Sequence, residues 1–201
     1  NGSMEQFLET IRIEGGVAFH LPYHVRRMNE TLSRKLGLAE GLDLVAALGD
    51  VSAFRQRTRC RVVYDRTVRS VEFFPYRIRP VKSLLVVGDD HVDYGFKYAN
   101  RSSLDACFAR RGECDDVLIV RDGYVTDTSI ANVAFLKDGA WYTPSVPLLK
   151  GTMRASLLDE GRICEARIAV DDLRQYSRLR LFNAMIPFGE IDLPMRSVWG
   201  V

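Results

Sequence analysis

One lysine, Lys97, stands in the run V-D-Y-G-F-K-Y-A-N-R-S at residues 92–102. Asn100 or Ser102 is placed to N-cap a helix running to about Arg110. Lys97 therefore sits at a segment boundary among aromatic neighbours. A lysine that loses water there has a lowered pKa, and its amine becomes a nucleophile toward carbonyls. The same residue also fits an ordinary surface position. A carboxylate follows. Val117–Val120 is a short apolar strand, Arg121-Asp122-Gly123 a turn, and Tyr124–Thr126 the returning strand of a hairpin. Asp127 stands where the chain leaves that hairpin, and Asn132 comes five residues later. An aspartate in such a loop also serves as an Asx-turn or a cap.

The elements that must position these groups are legible on both sides. Phe7–Ile13 alternates as a strand, Glu14-Gly15-Gly16 turns it, and Val17–Phe19 returns. Pro22 opens a helix and Gly37 closes it. Leu21, His24, Val25, Met28, Leu32 and Leu36 form its apolar stripe, in which His24 packs or caps. Residues 43–56 read as one or two helices broken near Gly49. Three strands follow, Arg59–Tyr64, Val71–Phe74 and Ser83–Val87. This half is an α+β layer, a sheet with its helices on one side.

Beyond the hairpin, Asn132–Leu136 and Ala140–Tyr142 are strands joined at Lys137-Asp138-Gly139. Gly151-Thr152 opens a helix that Gly161 closes. Helix N-termini present free N–H groups and partial positive charge, which suits a phosphate. Ala166–Val170 reads as a strand, Asp171-Asp172-Leu173 as a short helix, and Arg178–Phe182 as a strand leading to Asn183-Ala184-Met185-Ile186-Pro187.

Four motifs in this order resemble the class IV aminotransferase family. They are K-x-x-N-R-x-x-L at Lys97–Leu104, the D-G hairpin, an acid followed five residues later by asparagine, and L-x-G-x-x-R at Leu149–Arg154. The resemblance runs from about Phe7 to Pro187. It implies an α+β, two-domain fold of the pyridoxal phosphate (PLP) type IV class, with a small N-terminal α/β sandwich and a larger β-rich C-terminal domain. The expected bounds are residues 4–90 and 91–201, with Gly88-Asp89-Asp90 as the boundary. It also implies the cofactor, and with it a role for each matched residue. Lys97 would form a Schiff base and then move protons on the substrate. Asp127, where the family has Glu, would face the pyridine nitrogen. Arg27, in H-x-x-R-M, would hold the phosphate with a guanidinium fork. Thr152 and Met153 would offer backbone N–H groups to it from a turn reading G-T-M-R where the family reads G-I-T-R. Asn183 would touch the phosphate side or satisfy backbone groups at a strand end.

Thr10, in E-T-I-R, falls where aminodeoxychorismate lyases carry a threonine that assists elimination, and N-A-M-I-P resembles the N-A-L-M-P of those lyases. The resemblance therefore points to a lyase that releases pyruvate from a small-molecule amino substrate. A branched-chain or D-amino-acid aminotransferase is the alternative. A catalytically inactive binding protein of the same fold is a third reading, motivated by Asp127 and by the few residues before F-L-E-T. Family members dimerise, so a homodimer is expected.

Composition sets limits on these readings. The chain has 201 residues, 47% of them hydrophobic, which supports a packed core. Its 28 basic and 26 acidic residues are interspersed, net charge +2, so no nucleic-acid stripe stands out. Three histidines lack ligand spacing, and no metal site is expected. Four cysteines without C-x-x-C spacing read as reduced thiols of a cytoplasmic protein. No apolar run is long enough for a membrane span. Asn1-Gly2-Ser3 before Met4 reads as a tag remnant.

Overall fold

The structure is a computed structural model and describes residues 4–201; Asn1-Gly2-Ser3, read as a tag remnant, lies outside the described residues. The chain forms two compact units. The first holds residues up to Ile78 together with Phe96–Asn100; the second holds Arg79–Gly95 and Arg101–Val201.

In the first unit, β1 (Phe7–Glu14) turns into β2 (Val17–Ala18), then come α1 (Leu21–Leu36), α2 (Leu44–Leu48), β3 (Thr58–Tyr64) and β4 (Val68–Pro75). The sheet order is β2-β1-β3-β4, antiparallel throughout. Alternation along β1 sends Phe7, Ile11 and Ile13 to one face and Leu8, Thr10 and Arg12 to the other. Cys60, Val62 and Tyr64 of β3 join the first face, and Met28, Leu32, Leu44 and Leu48 of the two helices bury it. Leu32 has no exposed surface, so truncating it to Ala costs about 2–5 kcal/mol. Gly37 ends α1 as expected, its N–H bonded to the Leu32 and Ser33 carbonyls. Only one helix forms between residues 43 and 57: Asp43 accepts from Ala46 N–H at its start, and Gly49 ends it.

The short return segment belongs to this unit because it pairs with β1. Phe7 and Tyr98 bridge in antiparallel fashion. Leu8 N–H donates to the Lys97 carbonyl and Ala99 N–H to the Gln6 carbonyl, both at 2.9 Å.

The second unit contains two sheets. Its strands are β5 (Leu84–Gly88), β6 (Asp116–Arg121), β7 (Tyr124–Thr128), β8 (Asn132–Lys137), β9 (Ala140–Pro144), β10 (Cys164–Ala166), β11 (Arg178–Asn183), β12 (Ile186–Pro194) and β13 (Val198–Trp199); its helices are α3 (Ser102–Phe108) and α4 (Thr152–Asp159). The orders are β13-β5-β6-β7 and β10-β9-β8-β11-β12. β5 runs parallel to β6 from Leu84 opposite Asp116 to Gly88 opposite Val120. That pairing draws residues 79–95 into the second unit. α4 packs on the second sheet through Met153 and Leu157 against Ala134 and Phe182.

Three local readings change. Arg101 occupies the N-cap of α3 without a side-chain bond, and the helix ends at Phe108. The strand expected over residues 166–170 stops at Ala166. Val125 N–H instead donates to Ile168 O at 2.8 Å and Val170 N–H to Gly123 O at 3.0 Å, so the chain crosses to β7 and enters a 3-10 turn at Val170–Gln175. Asp127 lies inside β7, not beyond it. The turn follows one residue later: Thr128 Oγ1 accepts from Ile130 and Ala131 N–H, and Thr128 N–H donates to Ala131 O. Among the described residues no helix is long and apolar enough to cross a membrane.

Candidate active site

Lys97 owes its place to the pairing with β1. In an antiparallel pair, residues opposite each other share a face. Tyr98 stands opposite Phe7, and their rings lie 5.6 Å apart on the helix-covered side. Phe96 and Tyr98 both pack on that core. Lys97, between them, sits at the centre of a tight turn in which Tyr98 N–H donates to Phe96 O at 2.9 Å, and its charge reaches His24. Thr10 is half-buried and stands directly opposite Arg61.

The core side of the same sheet carries a charge cluster. Glu9 has no exposed surface. It accepts from Arg27 Nε at 3.0 Å and Arg27 Nη2 at 2.8 Å, and lies 2.7 Å from His24 Nδ1. Burial raises the Glu9 carboxyl, but the Arg27 charge and the His24 contact outweigh it and hold the pKa below the usual carboxylate range. Burial lowers the His24 pKa; Glu9 works against that, and the Arg27 and Lys97 charges add to it. His24 is therefore a packed, neutral residue, and Glu9 is the partner that orients Arg27. Glu9 was legible in principle: in F-L-E-T-I-R-I it occupies a position that alternation reserves for the core.

In the second unit, Asp127 is 5% exposed. Its Oδ1 accepts from Asn132 Nδ2 and its Oδ2 from Leu149 N–H, both at 3.0 Å. Burial pushes its pKa up to about 7, against the lowering effect of those N–H donors and of Arg154. Asn132 Nδ2 also donates to Leu149 O at 2.8 Å. The motif's asparagine thus ties the acid to the backbone just ahead of α4. Gly151, the α4 N-cap, must lack a side chain: a Cβ there would lie 2.3 Å from Asn132 Oδ1. Next to it, Thr152 is 4% exposed and its Oγ1 has no hydrogen-bond partner among the described residues. Met153 follows in the first turn, 5% exposed. Asn183 is engaged with the protein: Nδ2 donates to Ile130 O, and Oδ1 accepts from Met185 and Ile186 N–H.

The loop after Asp127 is fixed from below. Buried Asp116 accepts from Ser129 Oγ at 2.7 Å and from Arg79 Nη2 at 2.7 Å, and Arg101 Nη2 donates to Ser129 O at 2.8 Å. Arg101, from the K-x-x-N-R motif, is thus a support for the loop beside the acid.

The model of the class IV aminotransferase family matches residues 6–192. The chain belongs to that family. A proposed 4-amino-4-deoxychorismate lyase of Haemophilus somnus is 34% identical in its crystal structure, with a TM-score of 0.84 over 93% of this chain and 100% of that one. A proposed amino-acid aminotransferase of Mesorhizobium loti is 25% identical, with a TM-score of 0.79 over 94% and 99% of the two chains. A curated Schizosaccharomyces pombe relative, named as a proposed aminodeoxychorismate lyase, is 30% identical over 189 residues, covering 84% of this chain and 81% of its own. The class IV aminotransferase assignment agrees with the α+β, two-unit fold and makes the chain an enzyme of the PLP type IV class.

Proposed function

We propose that the chain is a PLP-dependent lyase, most like aminodeoxychorismate lyase, that releases pyruvate from an amino-bearing substrate. The observation that carries this reading is the pairing of the Lys97 segment with β1, the strand that bears Thr10. Family membership and the similarity to proposed lyases support it.

The residues fit the cofactor. A buried hydroxyl without a protein partner, Thr152 Oγ1, sits at the start of an eight-residue helix, beside the N–H groups that suit a phosphate. Arg27 supplies a cation, and Glu9 fixes its orientation. Asp127 offers a buried carboxyl whose pKa of about 7 lets it hold a proton at the ring nitrogen. Asn183 shapes the turn before Met185. PLP, when bound, supplies an electron sink for the bonds around the substrate's amine-bearing carbon. Lys97 Nζ would hold the cofactor through its carbonyl carbon and, once the substrate amine has displaced it there, would be free to take the proton from the amine-bearing carbon of the substrate. The Thr10 hydroxyl donates its hydrogen bond to the departing enolpyruvyl oxygen. As that C–O bond breaks, the ring would become aromatic, and the released enolate would take up a proton at its methylene carbon to become pyruvate. The amine is retained in the aromatic product, 4-aminobenzoate.

The test is pyruvate release from 4-amino-4-deoxychorismate with no 2-oxo acid present, followed by coupled reduction to lactate. Turnover only after a 2-oxo acid is supplied assigns the chain to the aminotransferase reading, which the Mesorhizobium loti similarity supports. Four free cysteines, among them exposed Cys164, support a cytoplasmic setting. The homodimer is inferred from family membership, and light scattering of the purified protein checks it.

A further inference from the structure

The L-x-G-x-x-R motif ends in Arg154, which the cofactor reading leaves without a task. Arg154 lies in the first turn of α4 and is 3% exposed. Its Nη2 donates to the Pro144 carbonyl at 3.1 Å and to Glu165 Oε1 at 2.6 Å. β10 runs parallel to β9, with Glu165 opposite Thr143 and Ala166 opposite Pro144. The end of β9 and a side chain from β10 thus receive one guanidinium. Its Nε is buried without a hydrogen-bond partner among the described residues.

Stability does not explain a cation at this place. The N-terminus of a helix carries partial positive charge and disfavours a second one. Burying a guanidinium is costly unless it is well matched, yet the Glu165 side chain is 47% exposed against 4% for Arg154. Water screens the carboxylate more than the guanidinium, so a net positive charge remains inside the second unit.

The group that feels this charge is Asp127. Its carboxyl accepts from Leu149 N–H and from Asn132, which in turn donates to Leu149 O, so it is tied to the segment that opens α4. Burial raises the Asp127 pKa. The Leu149 and Leu148 N–H groups from that segment, Asn132 from β8 and the Arg154 charge from α4 work against the rise. Lys150, beside that segment, is exposed. Asp116, which holds the turn after β7, is paired with Arg79.

We propose that Arg154 and Glu165 form a charge-setting pair for Asp127, in which the buried guanidinium favours the ionised carboxyl and Glu165 moderates it from the surface. Arg154 is a positioning residue that acts through Asp127, and Glu165 acts through Arg154. The proposal rests on the role given above to Asp127 at the ring nitrogen. It adds the residues that keep that carboxyl able to ionise near neutral pH.

The test follows the Asp127 carboxyl carbon by NMR through the acid and neutral range, in cofactor-free protein labelled with carbon-13 aspartate. The resonance is assigned by its loss in Asp127→Asn. Arg154→Met should raise the titration midpoint by about one pH unit or more, the range for losing a neighbouring opposite charge. Arg154→Lys should bring it back toward wild type. Glu165→Gln keeps an acceptor for Arg154 and removes only the charge, so it should lower the midpoint by a smaller amount. A clip that merely held α4 in place would not give opposite signs. An unmoved or lowered midpoint in Arg154→Met, or an unmoved or raised one in Glu165→Gln, overturns the proposal. Should Arg154→Met fail to fold, the surface variant Glu165→Gln decides alone. The cofactor role of Asp127 is scored separately by PLP absorbance. If the midpoints move as stated while Asp127→Asn binds PLP as tightly as wild type and with the same spectrum, the charge pair stands and the ring-nitrogen role fails. If Asp127→Asn loses PLP while Glu165→Gln leaves the midpoint unmoved, the ring-nitrogen role stands and the charge pair fails.

Discussion

Replacing Asp127 by Asn should change how the stability of the cofactor-free protein depends on pH. Asp127 is 5% exposed and its pKa rises from 3.8 to about 7 on folding. An acid raised in this way favours the folded state when protonated. Between about pH 4 and pH 7 the native chain holds a proton that the unfolded chain has lost, so stability falls as pH rises through that window. A shift of about three units, at about 1.4 kcal/mol each, amounts to roughly 4 kcal/mol in all. Integrated from pH 5 to pH 7, Asp127 alone accounts for a loss of about 2 kcal/mol. His24 acts in the opposite sense. Its pKa is lowered from 6.5 by burial, so below 6.5 the unfolded chain gains a proton first and stability falls on acidification. The wild-type curve mixes the two groups, whereas the difference between wild type and Asp127→Asn isolates the aspartate. Asp127→Asn keeps the shape and loses one accepted hydrogen bond, a pH-independent cost of about 1 kcal/mol. Urea unfolding at pH 5, 6, 7 and 8 measures the difference. It should shrink by about 2 kcal/mol, in favour of the variant, from pH 5 to pH 7 and level off above. A difference that stays flat, or that grows in favour of wild type as pH rises, refutes the reasoning, because the carboxyl would then be no more costly to ionise in the fold than in the unfolded chain.

Gly151→Ala puts a Cβ 2.3 Å from Asn132 Oδ1, so a loss of about 1–3 kcal/mol is expected in thermal unfolding, with weakened PLP binding because Asn132 holds Asp127. Thr152→Val removes a buried hydroxyl that has no partner among the described residues. Apoprotein stability should stay within about 1 kcal/mol, while the Kd for PLP, read by absorbance, rises. Glu9→Gln leaves the Arg27 guanidinium, 14% exposed, without its carboxylate. A stability loss of about 3–5 kcal/mol is expected in urea unfolding. Its affinity for PLP should fall more than its affinity for unphosphorylated pyridoxal.

Much of the architecture was readable because it rests on local signals. The strict alternation of Phe7–Ile13, the Pro22 and Gly37 punctuation of α1, and the Asp122-Gly123 turn each specify their own geometry; both turn residues take positive φ, 53° and 81°. Lys97 and Asp127 stood out by type and context. What was not readable depended on contacts distant in sequence. The return of residues 96–100 to β1 decides where Lys97 sits, and no periodicity within five residues reveals a strand partner ninety positions away. The grouping of β5 with the second unit is of the same kind, because it follows from its pairing with β6. Ala166–Val170 reads as one strand because its residues favour extended backbone, but Ile168 accepts from Val125 of β7 and Val170 donates to Gly123 in the turn before it. Glu9 and Arg101 were missed as supports because a charged side chain is conspicuous only once its buried partner is known. Thr10 and Arg61 became neighbours only through the register.

The central claim, that Lys97 carries the cofactor, is tested most directly by borohydride reduction of the PLP-treated protein followed by peptide mass mapping. The account predicts a pyridoxyl group on the peptide containing Lys97 in wild type, and its absence in Lys97→Ala. Labelling of another lysine in wild type, or equal labelling of both proteins, contradicts it.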